Sequence, residues 1–129
     1  MFRLEMDVRD SELDAQGIVN NSNYFRYMEH ARHKYLQTLG PSFIELAQQK
    51  QLLVLLETHM QFKQSLKSND RFYVTCSMEL ESRVRVACVQ HIYRLPDEKL
   101  MCSARNIVTC IDGNRNNRPY LPEFIEKLL

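Results

Sequence analysis

Apolar and charged residues alternate at the start of the chain. Phe2, Leu4, Met6 and Val8 fall on one parity, and Arg3, Glu5, Asp7 and Arg9 on the other. That two-residue period predicts a half-buried strand over 2–9. The next stretch, DSELDAQGIVNNSN, is polar, contains a glycine and reads as a loop with turns. From Tyr24 the period lengthens. Tyr24, Tyr27, Met28, Ala31, Tyr35 and Leu39 recur at three- and four-residue steps, which places them on one face of a helix. Asn21, Ser22 or Asn23 caps its start and Gly40-Pro41 ends it. Residues 42–51 read as a second, short helix.

Beyond it the pattern is strand after strand. Residues 52–63 begin strongly apolar and end alternating through His59, Met60, Gln61 and Phe62. In 72–80, Phe72, Val74, Cys76, Met78 and Leu80 share a face opposite Tyr73, Thr75, Ser77 and Glu79. Residues 84–94 and 100–111 are apolar at both parities, as strands covered on two sides are. The segment LPDEK joins them as a hairpin, Asp112-Gly113-Asn114 stops the last strand, and 122–129 form a short terminal helix. The order is one strand, one long helix, then a meander of about four antiparallel strands. This predicts an α+β fold in which a sheet of about five strands wraps around the helix. An exposed sheet edge and a sheet apolar on both faces point to a homo-oligomer.

Composition narrows the classes. The 129 residues, 44% hydrophobic and 26% charged, suit a single folded domain over 1–129 and exclude a disordered chain. Surface scaling puts roughly 7,000 Å² in contact with solvent after folding, leaving about two-thirds of the extended surface buried. The net charge of +1 supplies no bulk field toward nucleic acid or an anionic membrane. The longest strictly apolar run, Leu52 to Leu56, is far short of a membrane span, and MFRLEMDVRD does not read as a signal peptide. Cys76, Cys88, Cys102 and Cys110 show no CxxC spacing and sit in strand-like stretches, so they read as buried free thiols of a reducing compartment, cytoplasmic by default.

The segment with chemical content joins the first strand to the helix. Asp14 lies seven residues ahead of Asn21, with Gly17 between them to permit a tight turn or a close backbone approach. The first amides of a helix are unpaired donors with partial positive charge, able to polarise a carbonyl or hold an oxyanion. A carboxylate beside them can serve as nucleophile or as general base on water. The combination fits acyl transfer to water; an ordinary capped turn with a solvated aspartate is the plain alternative. No Ser-His-Asp, Cys-His or metal signature competes with it.

The pattern D-x-x-G-x-V-x-x-x-N-Y, followed by an aromatic-rich amphipathic helix, resembles the 4-hydroxybenzoyl-CoA thioesterase branch of the hotdog superfamily. Nearly the whole chain shares the order strand, long helix, strands, and the most specific part runs from Asp14 to Arg32. The run RDSELDAQGIVNN is most similar to plant and cyanobacterial acyl-ACP and 1,4-dihydroxy-2-naphthoyl-CoA thioesterases. The resemblance implies a hotdog fold and hydrolysis of aromatic or fatty acyl-CoA thioesters, or of acyl-ACP. It implies Asp14 as the catalytic carboxylate and the amides of Asn21 and Ser22 on the thioester carbonyl. It also implies an active site at a subunit interface in a dimer or dimer of dimers (a homotetramer), with no cofactor and no metal. At Asn20 and Asn21 the chain departs from the benzoyl-type pattern, where aromatics or a Tyr-His pair occur, which argues against a hydroxybenzoyl substrate. A non-catalytic acyl-CoA-binding protein of the same fold is the alternative from another class. A hotdog dehydratase is disfavoured because no histidine occurs between Met1 and Glu29.

Further candidates surround this segment. Asn20, Asn23 and Tyr24 are placed to position substrate, or else to cap and pack the helix. Glu29 is either a second catalytic carboxylate or the i, i+4 partner of His33. His30 and His33 form HxxH without a third ligand in sequence, so no metal is expected. His59 can line a cleft, as can His91, or each simply packs. Lys63, Lys67, Arg83, Arg85, Arg115 and Arg118 are the candidates to meet the phosphates of CoA, and the resemblance implies Arg83 and Arg85 in particular; a solvated basic edge explains them equally.

Overall fold

The computed structural model describes residues 1–129. It contains β1 (Phe2–Asp7), α1 (Asn21–Gln37), α2 (Phe43–Gln48), β2 (Gln51–Phe62), β3 (Arg71–Leu80), β4 (Val86–Leu95), β5 (Lys99–Asp112), β6 (Arg118–Tyr120) and α3 (Glu123–Glu126), with one 3-10 turn at Asp10–Glu12. The strands form one antiparallel sheet in the order β1-β3-β4-β5-β2, and β6 adds to the end of β5.

Register carries the alternation of each strand into a shared face. Phe2 stands opposite Cys76, Cys76 opposite Gln90, Gln90 opposite Ala104, and Ala104 opposite Met60. These even-numbered positions face α1, whose Tyr24, Tyr27, Met28 and Ala31 are buried among them. This is the expected α+β hotdog arrangement, a curled antiparallel sheet around a long helix. No helix is long and apolar enough to cross a membrane.

Four details differ from the sequence reading. Six strands form instead of about five, because Arg118–Tyr120 folds back on Cys110–Asp112. β2 is not part of the meander. It pairs only with β5 at the far edge, and residues 63–70 carry the chain back to the opposite half of the sheet. That strap is fixed by Leu66, fully buried, whose amide donates to Tyr24 Oη at 2.9 Å and whose carbonyl accepts from Val19 N at 2.9 Å. The cap of α1 is Asn20, one residue earlier than expected. Its side chain accepts from Ser22 N, so Asn21, Ser22 and Asn23 form the first helical turn. Finally, α2 is shorter than 42–51. Ser42 caps it, and Lys50, at φ +60°, breaks the chain out of the helix just before β2.

The core divides in two along α1. One cluster packs the N-terminal half of the helix against β1, β3, β4 and β5 and includes Met28, Phe72, Val74, Ile92 and Cys102. A smaller cluster, with Leu36, Val86, Val108, Leu121 and Ile125, lies beneath the C-terminal half, where α3 closes it. The four cysteines are free and buried. Burial pushes the Cys102 thiol up to about 12, which makes it an inert packing residue.

Candidate functional site

Asp14 opens a tight loop tied at its base by the bridge between Leu13 and Val19. Its backbone amide donates to Ile18 O at 2.8 Å, and Gly17 N returns to Asp14 O at 3.1 Å. Gly17 sits at φ +80° with nothing near the place a Cβ would occupy, so it serves the turn and not a close approach. Of the two carboxylate oxygens, Oδ1 accepts from Gln16 N at 2.8 Å and from Ile18 N at 3.4 Å. Oδ2 has no partner within the chain and is held in place by the bonds to its sister oxygen. A second bridge, Ile18 to Lys67, fastens the loop to the strap.

The helix start stands next to this loop. Asn20 N donates to Glu12 O at 2.9 Å, and Asn23 Nδ2 donates to the same carbonyl at 2.9 Å. Asn20 Oδ1 accepts from both the amide and the hydroxyl of Ser22, at 3.0 and 2.9 Å. Asn23 N donates to Asn20 O. Among the first three helical amides, only that of Asn21 is left without an acceptor. Of the two amides singled out in the sequence, Asn21 is therefore open to a ligand and Ser22 is committed to its cap. Asn20 and Asn23 hold the loop against the helix. Tyr24 is buried and anchored to Leu66, a packing role.

Glu12, absent from the candidates read in the sequence, organises this corner. It is only 8% exposed. Its carboxylate accepts from Arg9 N at 2.8 Å, from the Arg9 guanidinium at 3.2 Å, and from Tyr27 Oη at 2.8 Å. Burial and the bond to Glu12 push the Tyr27 phenol far above its ordinary range, so it stays a donor. The one available signal was a charged residue three positions after Arg9, in the spacing of a reciprocal cap.

The remaining candidates are scattered. Glu29 and His33 form no ion pair. The His33 ring instead packs on Phe43 with centroids 4.2 Å apart, and its desolvation lowers the imidazole's proton affinity. His30 lines a different cleft, with Arg9, Glu12 and Arg26. His59 is on the opposite face of the sheet from α1, in a shallow groove with His91, Ser103 and Arg105. Arg83 lies in the β3–β4 turn and Arg85 pairs with Glu57 at 3.7 Å. Both are separated from the Asp14 end of the same chain by the length of β3, roughly 30 Å. Lys63 and Lys67 lie at the Asp14 end. Arg115 and Arg118 line a separate surface pocket at the far end, with Asp112 and Tyr120.

Between the two core clusters lies an opening of about 90 Å³ lined by Glu29, Arg32, His33, Leu36, Phe43, the Leu53–Leu55 stretch of β2, Met78 and Val108. Glu29 and His33 are the sequence candidates that reach it.

Comparison with known proteins agrees with this architecture. The family model described as Thioesterase-like superfamily matches residues 8–129. A chloroplastic acyl-acyl carrier protein thioesterase of Arabidopsis thaliana is 34% identical over 110 residues, covering 85% of this chain and 58% of the relative. The chain thus spans well under two-thirds of that plant protein's length. An acyl-CoA thioesterase of Haemophilus influenzae is 28% identical over 127 residues, covering 97% of this chain and 91% of the relative. The crystal structure of a 1,4-dihydroxy-2-naphthoyl-CoA thioesterase from Synechocystis superposes with a TM-score of 0.88 at 21% identity, over 98% of this chain and 93% of the other.

Proposed function

Because the chain belongs to the thioesterase-like superfamily, we propose that it hydrolyses acyl thioesters of coenzyme A or of an acyl carrier protein, with Asp14 as the reacting carboxylate. The observation that carries this reading is the pairing of a fixed, half-free carboxylate with an open helix amide. Asp14 Oδ2 has no internal partner, and the Asn21 N–H a few residues on has none either. The thioester oxygen accepts from a helix-start amide, which stabilises the charge that develops on it; one such donor is typically worth about 3 kcal/mol in the transition state. Either Asp14 attacks the carbonyl carbon, expelling the thiolate and leaving an anhydride that water cleaves, or it takes a proton from the attacking water. A thiolate leaves without a strong general acid, so the chemistry needs no histidine beside Asp14. The plant and Haemophilus relatives, named for carrier-protein and CoA thioesters respectively, support both thiol carriers as substrates.

The active unit in this reading is a two-fold dimer built on β2. That strand has 12 residues, is free along one edge, and leaves Leu52, Leu55, Leu56 and Phe62 between 39% and 50% exposed. The chain alone exposes 7762 Å², more than the roughly 7,000 Å² its mass predicts. A long apolar edge of this kind invites a strand from a second copy. A two-fold axis across the middle of β2 exchanges its ends. Phe62, which packs on Tyr24 at the Asp14 end, then comes beside the partner's Leu53–Leu55 pocket. Each site thereby combines the Asp14 loop of one protomer with the pocket of the other, and Arg83 and Arg85 of that second protomer come within range of a bound carrier.

Release of free thiol tests the reading, with wild type and Asp14→Asn on short, medium and long aliphatic acyl-CoA, an aromatic acyl-CoA and an acyl carrier protein thioester. Turnover of at least one substrate, lost by a factor of a thousand or more on substitution, is expected. Folded wild-type protein inert on the whole panel supports the acyl-CoA-binding alternative, and activity surviving in Asp14→Asn removes Asp14 from the chemistry.

A further inference from the structure

Of the two charged side chains buried in the fold, Glu12 and Arg32, only Arg32 makes no ion pair, although the Glu29 carboxylate one turn earlier on α1 is near enough for its field to act on it. Arg32 is 5% exposed. Its Nη1 donates to Gln90 Oε1 at 3.1 Å. Gln90, fully buried, is itself pinned, since its Nε2 donates to Met28 O at 2.9 Å and its Oε1 also accepts from Asn106 Nδ2 at 2.9 Å. Asn106 in turn accepts from the Thr58 hydroxyl. Four elements (α1, β2, β4 and β5) thus combine to hold a single guanidinium still.

The rest of that guanidinium is unspent. Every fully buried side-chain nitrogen and oxygen in the protein has a hydrogen-bond partner. The N–H groups of Arg32 that have none therefore reach open space, and the space that Arg32 lines is the pocket beneath the C-terminal half of α1. Apart from Glu29, Arg32 and His33 the pocket wall is apolar. A guanidinium has five donors in a rigid fork. Placing it at the wall of a mostly apolar pocket, with Glu29 on the same wall but no carboxylate bonded to it, is unfavourable unless its free donors find an oxygen. Desolvation already depresses its proton affinity below the ordinary arginine range.

We propose that this pocket receives the tail of the acyl group, and that Arg32 selects acyl chains with a keto or hydroxyl oxygen near their end over plain hydrocarbon chains. The inference rests on the thioesterase reading and specifies its substrate. The volume, about 90 Å³, is smaller than the cavity of roughly 150 Å³ known to admit benzene, so the end of an aliphatic chain fits better than a whole ring. Glu29 on the same wall disfavours a carboxylate tail, which leaves a neutral oxygen as the matching group. A site built to donate to an oxygen discriminates strongly against the analogue that lacks it, whereas apolar walls alone discriminate weakly.

The test compares kcat/KM for saturated acyl-CoAs of six, eight and ten carbons with that for the same chains bearing a keto group on the penultimate carbon. Wild type is expected to prefer the keto member at one chain length by roughly 10- to 100-fold, the range for a hydrogen bond from a charged donor. The ratio, and not the absolute rate, is the readout. It collapses toward one in Arg32→Met and is partly kept in Arg32→Lys, which a purely structural arginine would not produce. A wild-type ratio near one at every length overturns the proposal, as does a preference that survives in Arg32→Met. If wild type cleaves no thioester, the thioesterase reading fails separately, and the pocket is then read directly with 2-pentanone and the Nε–H resonance of Arg32. A saturable shift with 2-pentanone supports the inference, and no shift overturns it. The same resonance decides the matter if Arg32→Met does not fold.

Discussion

The two halves of α1 are packed by different means. Under the N-terminal half, Tyr24, Tyr27 and Met28 meet Phe72, Val74 and Ile92 in one buried apolar cluster, with Tyr27 and Phe72 ring centroids 4.6 Å apart. Beneath the C-terminal half the helix meets a layer of polar side chains, Arg32, Gln90 and Asn106, and then an open pocket before the second cluster begins. One half fixes the helix so that its first amides and the Asp14 loop keep a set geometry. The other half gives up packing to leave room and a donor. A packed cluster and a polar-walled pocket are thus separated along one helix by about one turn.

The sharpest way to break the first half is Phe72→Ala. Phe72 is fully buried on the sheet face beneath Tyr27, and its loss leaves a cavity that a rigid strand cannot close. A cost of about 4 kcal/mol is expected, read as a large drop in the urea midpoint.

The second half breaks differently. Gln90→Met removes no volume to speak of, yet it strips a partner from Arg32, from Asn106 and from the Met28 carbonyl at once. The expected cost is about 2–3 kcal/mol, from polar groups left unsatisfied. Adding Arg32→Met should restore a good part of it, because the charge no longer needs a partner. A double-mutant cycle checks this. Additive losses would mean that the polar layer is not a network, and the contrast between the halves would fail. A smaller effect is expected from Asn20→Ala at the start of the well-packed half. Losing the acceptor for the Ser22 amide and hydroxyl costs about 1 kcal/mol. If the cap also holds the Asn21 amide in position, activity falls more than this stability loss explains.

These halves were unequally legible in the sequence. The apolar stripe from Tyr24 to Tyr35 and the alternation in 72–80 are local periodicities, and they give the dry cluster residue by residue. Strand order is not local. Nothing in the period of residues 52–63 says that they pair with β5 and not with β3, and the only trace of the crossing strap is a lone Leu66 among KQS and KSND. The cap was displaced by one residue because Asn20, Asn21, Ser22 and Asn23 are all good caps, and only contact with Glu12 O selects the first. Arg32 was hidden in the charged run EHARHK, which reads as a solvated face. Its ridge, Met28-Arg32-Leu36 at steps of four, was the available signal. Gln90 and Asn106 likewise stood on the inward parity of their strands, between Cys88 and Ile92 and between Ala104 and Val108.

The smallest expected effect is a pH dependence confined to the open half. Burial against Phe43 lowers the His33 pKa from the usual 6.5, partly offset by the field of Glu29, while Arg32 and His30 lower it further. The sign follows from proton linkage. Below pH ~6.5 the unfolded chain takes up a proton at this position that the folded chain resists, so stability falls as pH drops through that value and is fully present above it. His33→Gln, which keeps a polar group of similar reach but cannot titrate, should flatten the part of the Tm-versus-pH curve between pH 7 and 5.5, while leaving Tm at pH 7.5 nearly unchanged. Phe72→Ala, by contrast, should lower the whole curve without changing its shape. Two variants that shift the curve in the same way would show that the halves of α1 respond as one body, and that the open pocket is only a flaw in a single continuous core.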